Sequence, residues 1–239
     1  MIGMTRCAVL VFPGTWSDGD CHHVLDKVFD VPVDLVWHKD ENDLSDYDIA
    51  VVPGGFSYGD YLRPGAIARF SPVMRGVERM AKEGGTVIGI CNGFQILCEA
   101  GLLPGSLLRN GHLEYRCQWT NLRVDTIDSP FTSECEPGQV LRVPISHGDG
   151  NYFADPDTLA EIERNDQILF RYSSPEGEVS PEFSPNGSLA NIAGIVNRDR
   201  NVLGMMPHPE RCCEAILGGE DGKFIFGSML NASASGVST

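Results

Sequence analysis

Along the first half of the chain, short apolar runs alternate with segments whose apolar positions recur every three to four residues. The runs CAVLVF (7–12), VDLVW (33–37), IAVVP (49–53) and TVIGI (86–90) are rich in β-branched residues and bounded by Gly, Pro or polar residues, which predicts buried strands. Between them, CHHVLDKVF (21–29) places Val24, Leu25 and Val28 on one helical face. AIARFSPVMRGVERMAKEGG (66–85) predicts a longer helix, with Ser71-Pro72 suited to its start and Gly84-Gly85 to its stop. NGFQILCEA (92–100) predicts a helix that follows the fourth run directly and closes at Gly101 and Pro104.

The second half is richer in strand patterns. LEYRCQWTNLRV (113–124), VLRVPI (140–145), ILFRYS (168–173) and LANIAGIVN (189–197) suggest antiparallel additions, and TLAEIERND (158–166) a short helix. VLGMMPHPE (202–210) reads as a buried strand entering a turn, and GKFIFGSML (222–230) as a closing helix. Strands separated by helices at this spacing imply parallel β-α-β units, so the expected architecture is α/β, a doubly wound, mainly parallel sheet with antiparallel additions. With no internal repeat and no long linker, residues 1–230 are expected to form one domain. The small polar residues 231–239 are expected to be a disordered tail.

Composition narrows the functional classes. A net charge of −15 without any Lys/Arg-rich block argues against nucleic acid as a partner, and no run approaches the roughly 18 apolar residues of a membrane span. MIGMTRCAVLVFPG has one Arg, a short apolar run and no small-residue cleavage site, so it reads as a first strand rather than a signal peptide. The eight cysteines include no C-x-x-C pair, which suits reduced thiols and a cytoplasmic protein. Metal ligation is not expected, because Cys212 and Cys213 are adjacent and poorly spaced to share an ion.

Candidate chemistry centres on GICNGFQ (89–95). A strand that enters a helix through Gly89-x-Cys91-x-Gly93 has the mechanics of a nucleophile elbow, with the thiol at a helix N-terminus on the carboxyl edge of the sheet. On those seven residues alone, Cys91 is as readily a small buried side chain as a nucleophile. Cys98, on the same helix, reads as packing, and His22 and His23 as surface or packing residues. PHPE (207–210) supplies a base and its orienter: Pro209 disfavours helix at His208, so an extended stretch would put His208 and Glu210 on one side. VVPGGFSYGD (51–60) supplies a glycine pair after a strand. Backbone N–H groups of Gly55 and Asn92 are the candidate oxyanion donors.

Strand-Pro-Gly-Gly, Gly-x-Cys-x-Gly-x-Gln and His-Pro-Glu, in this order, resemble the class I (triad) glutamine amidotransferases. The resemblance implies a flavodoxin-like fold, with Cys91 as nucleophile and His208 and Glu210 completing the triad. It implies substrate contacts from Gly54, Gly55, Phe56, Asn92 and Gln95. GGFSYGDYLRPGAIA, CNGFQIL, HGDGNY, SPNGSLANIAGI and GMMPHPER are similar, more narrowly, to the glutaminase subunits of synthases that convert formylglycinamide ribonucleotide to formylglycinamidine ribonucleotide in purine biosynthesis. That likeness implies glutamine as substrate and a separate synthase subunit binding ATP and magnesium. It also implies ammonia passed between the subunits and a small bridging subunit. The chain itself has no G-x-x-x-x-G-K-[ST] loop, in keeping with ATP chemistry elsewhere and no cofactor here. It departs from the family at Trp16-Ser17-Asp18, where Asn-Cys-Asp is common, and at Cys117-Gln118, where Cys-Arg is common. His147 in SHGDGNY is left between the site, an interface and packing.

Overall fold

A computed structural model describes residues 5–40 and 43–234. The predicted apolar runs become β1 (Cys7–Val11), β2 (Val33–Trp37), β3 (Ile49–Val52) and β4 (Thr86–Ile90). They pair in parallel in the order β2-β1-β3-β4, and the next strand in the sheet is β11 (Val202–Met205), parallel to β4 with Met205 opposite Ile90. This is the expected doubly wound half, with its reversal of strand order between β1 and β3. Every residue of β3, β4 and β11 is buried, which is why these segments read as continuous apolar runs. Each buried Val, Leu or Ile contributes about 1.5–3 kcal/mol.

The sheet continues through the antiparallel strands β10 (Ile192–Val196), β9 (Ile168–Ser173), β6 (Arg116–Val124) and β7 (Val140–His147), nine strands among the described residues. The first part of LANIAGIVN is not strand. Leu189–Asn191 form a tight turn with Ala190 at φ 51°, and pairing begins at Ile192. A small ribbon, β5 (Ser106–Leu108) against β8 (Asn151–Phe153), lacks any alternating pattern and is not evident in the sequence.

The helices depart from expectation at their ends. α1 (Asp18–His23) starts before the predicted segment and widens into a π-helical stretch over Val24–Val28. The helix expected in 66–85 begins just after Ser71-Pro72 and ends just before Gly84-Gly85, as those residues suggest, and the stretch ahead of Pro72 does not join it. Ala68–Phe70 form a single tight turn, Ser71 is extended (φ −63°, ψ 141°), and α2 spans only Met74–Lys82. Pro72 causes this, because its ring disfavours helical geometry at the residue before it. α3 (Asn92–Glu99) packs on β3, β4 and β11, and α4 (Pro156–Arg164) is capped by Asp155, which accepts from the N–H groups of Asp157 and Thr158. α5 (Gly222–Ala234) continues past residue 230, so 231–234 are helical where a tail was expected. Residues 235–239 lie outside the described residues. No helix among the described residues is long and apolar enough to cross a membrane.

Because β1, β3, β4 and β11 are parallel, the loops that leave them emerge at one edge of the sheet. Those loops carry Gly14–Ser17, Gly54–Asp60, Cys91 and His208.

Candidate active site

Cys91 follows β4 with φ 50° and ψ −105°, a left-handed conformation that costs an L-residue of order 1–3 kcal/mol. Two glycines make the turn possible. A carbon added at Gly89 would meet the backbone of Gly93 at 2.8 Å and Leu97 Cδ1 at 2.5 Å, and one added at Gly93 would overlap the carbonyl of Val52. The helix can therefore start against the strand it leaves, which turns the thiol to the sheet edge. The Cys91 N–H donates to Met205 O at 2.7 Å and so ties the elbow to the end of β11. Its sulfur contacts the carbonyl of Ser146 at 3.8 Å, and the residue is 6% exposed.

β11 leads through two residues to His208, whose N–H donates to Pro144 O at 2.8 Å. The His-Pro-Glu stretch is not extended: Pro209–Arg211 form a tight turn. That turn still brings Glu210 Oε1 to 2.6 Å from His208 Nδ1, with both side chains buried. The Pro209 ring lacks the N–H that a helix start leaves unpaired and favours this turn. Burial alone would push the His208 imidazolium down. The Glu210 carboxylate and the Cys91 sulfur outweigh it, and His208 is pushed up to about 10. Its Nε2 is buried and carries no hydrogen bond, as does Glu210 Oε2. Arg211 Nε lies 3.8 Å from Glu210 Oε1, the oxygen that faces His208, and 3.2 Å from Asp20 Oδ2.

Gly54 joins the two halves. A carbon added there would stand 2.8 Å from His208 Cε1, 3.4 Å from Cys91 Cβ and 2.7 Å from Ser17 Oγ. Thiol, imidazole and glycine loop therefore converge on one point. Gly55, at φ 149°, is closed in by Gly14 O, Thr15 Cα and Trp16 N, each at 2.8 Å from a would-be side chain. The loop is bound to the Pro13–Ser17 segment by Phe56 N–H to Gly14 O, and by the N–H groups of Trp16 and Ser17 to Gly54 O. The sequence departure at Trp16-Ser17 thus lies at the site. Its tethering bonds come from the backbone N–H groups of Trp16 and Ser17 and not from their side chains. Trp16 itself is exposed, edge-on to Phe56, with Arg211 over its ring at 4.9 Å.

The remaining predicted residues sort less simply. Phe56 is partly exposed at the mouth. Asn92 and Gln95 are buried, and both ends of the Gln95 amide are engaged within the protein: Oε1 accepts from Asn92 Nδ2 at 2.8 Å, and Nε2 donates to Asp149 O at 2.6 Å. Nearby Asp60, in reach of the Asn92 amide at 3.5 Å, is pushed up to about 6 by burial and by Asp149. His147 is buried beside the site, with Nδ1 on Asn110 Oδ1 at 3.1 Å and Nε2 unpartnered. Burial and the neighbouring His208 push it down to about 3. A carbon added at Gly150 would overlap the His147 ring at Cε1, and Asn110 Oδ1 also accepts from the Gly150 N–H at 3.1 Å, which accounts for the second glycine of HGDGNY. Gln118 and Cys117 sit on β6 opposite Ile145 and Ser146, at the strand end next to the Ser146 carbonyl that Cys91 touches. His23 does find a carboxylate, Glu214 at 2.8 Å, on the surface. Sequence reasoning missed Ser17, Ser146, Tyr115 (hydroxyl 2.8 Å from Ser146 Oγ) and Asn110, which reach the site from distant segments. Among the described residues, no group of three or more His, Cys, Asp or Glu is placed to hold a metal ion.

A thiol on a strained strand-helix turn, an imidazole fixed by a buried carboxylate, and a glycine loop at the edge of a doubly wound sheet define a glutamine amidotransferase, and residues 4–218 match the CobB/CobQ-like glutamine amidotransferase domain. The chain is 59% identical over 226 residues to phosphoribosylformylglycinamidine synthase subunit PurQ of Moorella thermoacetica, covering 95% of each, and 57% identical over 226 residues to that of Salinibacter ruber, covering 95% and 96%. It superposes on a chain of the structure of PurLQS from Thermotoga maritima with a TM-score of 0.84 and 41% identity, covering 96% of this chain and 99% of that one. The chain belongs to the family of phosphoribosylformylglycinamidine synthase PurQ subunits.

Proposed function

We propose that the chain is the glutaminase subunit of a phosphoribosylformylglycinamidine synthase, that Cys91, His208 and Glu210 carry its chemistry, and that it works in the cytoplasm. The observation that carries this reading is the convergence of Cys91 Cβ and His208 Cε1 on Gly54, with Glu210 at 2.6 Å on the far nitrogen of the imidazole. Glu210 fixes the imidazole and favours its protonated form, so His208 can hold the proton that Cys91 gives up. The thiolate attacks the carboxamide carbon of glutamine, and the oxyanion is met by the N–H groups of Gly55 and Asn92. His208 delivers its proton to the departing nitrogen, ammonia leaves, and Cys91 retains the glutamyl group as a thioester. Neutral His208 then takes a proton from water, which attacks the thioester and releases glutamate. Phe56 at the mouth and Gln95 beside Asn92 line the glutamine pocket.

The chain needs no cofactor in this reading. ATP and magnesium act in the synthase subunit, which takes the ammonia and converts formylglycinamide ribonucleotide to formylglycinamidine ribonucleotide, and a small third subunit bridges the complex. Support comes from the PurQ relatives and from the likeness to a chain of the PurLQS structure. Size-exclusion chromatography with the synthase and small subunits tests it. Co-elution, with glutaminase activity that rises on addition of ATP and formylglycinamide ribonucleotide, is the expected result. Stable association with a different amide-forming enzyme instead would refute it.

A further inference from the structure

The loop Gly54–Asp60 holds its shape against its own backbone preferences. Tyr58 (φ 54°), Gly59 (φ 68°) and Asp60 (φ 55°) are consecutive left-handed residues, and two of them carry side chains. Such a run persists only where surrounding contacts over-determine it. Two groups of side-chain bonds do so here. On one flank, Asn92 Oδ1 accepts from the Ser57 N–H at 3.0 Å while its Nδ2 donates to Gln95 Oε1, so one amide joins the loop to the first turn of α3. On the other flank, the Tyr58 hydroxyl lies 2.7 Å from His38 Nδ1 and 3.0 Å from Ser71 Oγ. His38 follows the last residue of β2 and is itself buried, with its ring edge-on to Tyr58. Ser71 is the extended residue that Pro72 holds before α2. The Tyr58 N–H adds a bond to Pro13 O at 2.6 Å.

Both fixings lie within three residues of Gly55, and none of their side-chain bonds is made to Cys91, His208 or Glu210. We propose that the Asn92 side chain and the Tyr58–His38–Ser71 cluster are the two anchors that aim the Gly55 N–H at the oxyanion, which makes Tyr58 and His38 positioning residues. The inference rests on the catalytic reading above. A loop released at either anchor would still leave a reactive thiol beside its imidazole. It would lose the donor that meets charge only in the transition state, so kcat falls, and at the Tyr58 anchor, which leaves Gln95 in place, KM for glutamine changes little.

Three variants of the assembled complex test this: Tyr58→Phe, Asn92→Ala and His38→Asn, the last retaining a polar atom near the position of Nδ1. Two rates are measured in each, steady-state glutamine hydrolysis and iodoacetamide alkylation followed at the Cys91 peptide, a reaction that needs the thiolate and no oxyanion hole. Tyr58→Phe is expected to lower kcat about ten- to a hundredfold with KM within about twofold and alkylation unchanged, Asn92→Ala to lower kcat as far and to raise KM as well because it also frees Gln95, and His38→Asn to stay close to the parent. Unchanged kcat in Tyr58→Phe, or a parallel fall in hydrolysis and alkylation, would overturn the proposal while an active parent complex leaves the catalytic reading standing. A parent complex that failed to hydrolyse glutamine would overturn both.

Discussion

Gly93 lies so close under Val52 that any side chain at 93 would overlap the Val52 carbonyl oxygen. This contact sets how near α3 begins to β3 and β4, and with it the position of the Cys91 sulfur. The elbow is thus a packing relationship between the first turn of a helix and the neighbouring strand, in addition to a local turn.

Gly93→Ala is expected to force α3 away from β3, because the obstruction is backbone rather than a movable side chain. Overpacking of this kind costs about 1–3 kcal/mol. Displacing the nucleophile by an ångström costs about a hundredfold in rate. Urea denaturation together with glutamine hydrolysis in the complex checks both, and a variant with parental stability and turnover would show that α3 is free to slide.

Glu210→Gln removes the charge that favours protonated His208. The folded-state value for His208, about 10, lies above its ordinary 6.5, so the folded protein keeps a proton that the unfolded chain releases in this interval. Stability from the pair is therefore fully present below about pH 6.5 and is lost as pH rises through about 10. The variant is expected to be less stable than the parent by roughly 3 kcal/mol near pH 6.5, with the gap narrowing toward pH 10. Urea titrations across that range measure it, and a gap independent of pH would exclude the ion pair. Glutamine hydrolysis is expected to fall at least about a hundredfold.

Much of this site is legible in the sequence because its chemistry sits where strands end. Cys91 directly follows TVIGI, His208 follows VLGMM by one proline, and Gly54 follows IAVVP, so the carboxyl ends of parallel strands bring three short motifs together. The pairing of His208 with Glu210 was likewise accessible, although a tight turn rather than an extended stretch achieves it. What was not legible are contacts between segments without a local pattern. Asn92 to Ser57 and Tyr58 to His38 join residues 35 and 20 positions apart, and the Asn110 amide reaches Gly150 across 40. Helix boundaries also escaped where no local signal marks them, as at α1, which begins at Asp18, three residues before its periodic segment, whereas Pro72 did mark the start of α2.

The most direct measurement is product formation by the complete synthase complex carrying Cys91→Ala, with either glutamine or ammonium salt as nitrogen donor. Cys91 is a small, buried side chain beside Gly54, so alanine preserves the fold and removes only the sulfur. Loss of glutamine-dependent formylglycinamidine ribonucleotide synthesis, with ammonia-dependent synthesis retained at the parental rate, is the expected result. Glutamine-dependent synthesis that survived the substitution would contradict the assignment of Cys91 as nucleophile.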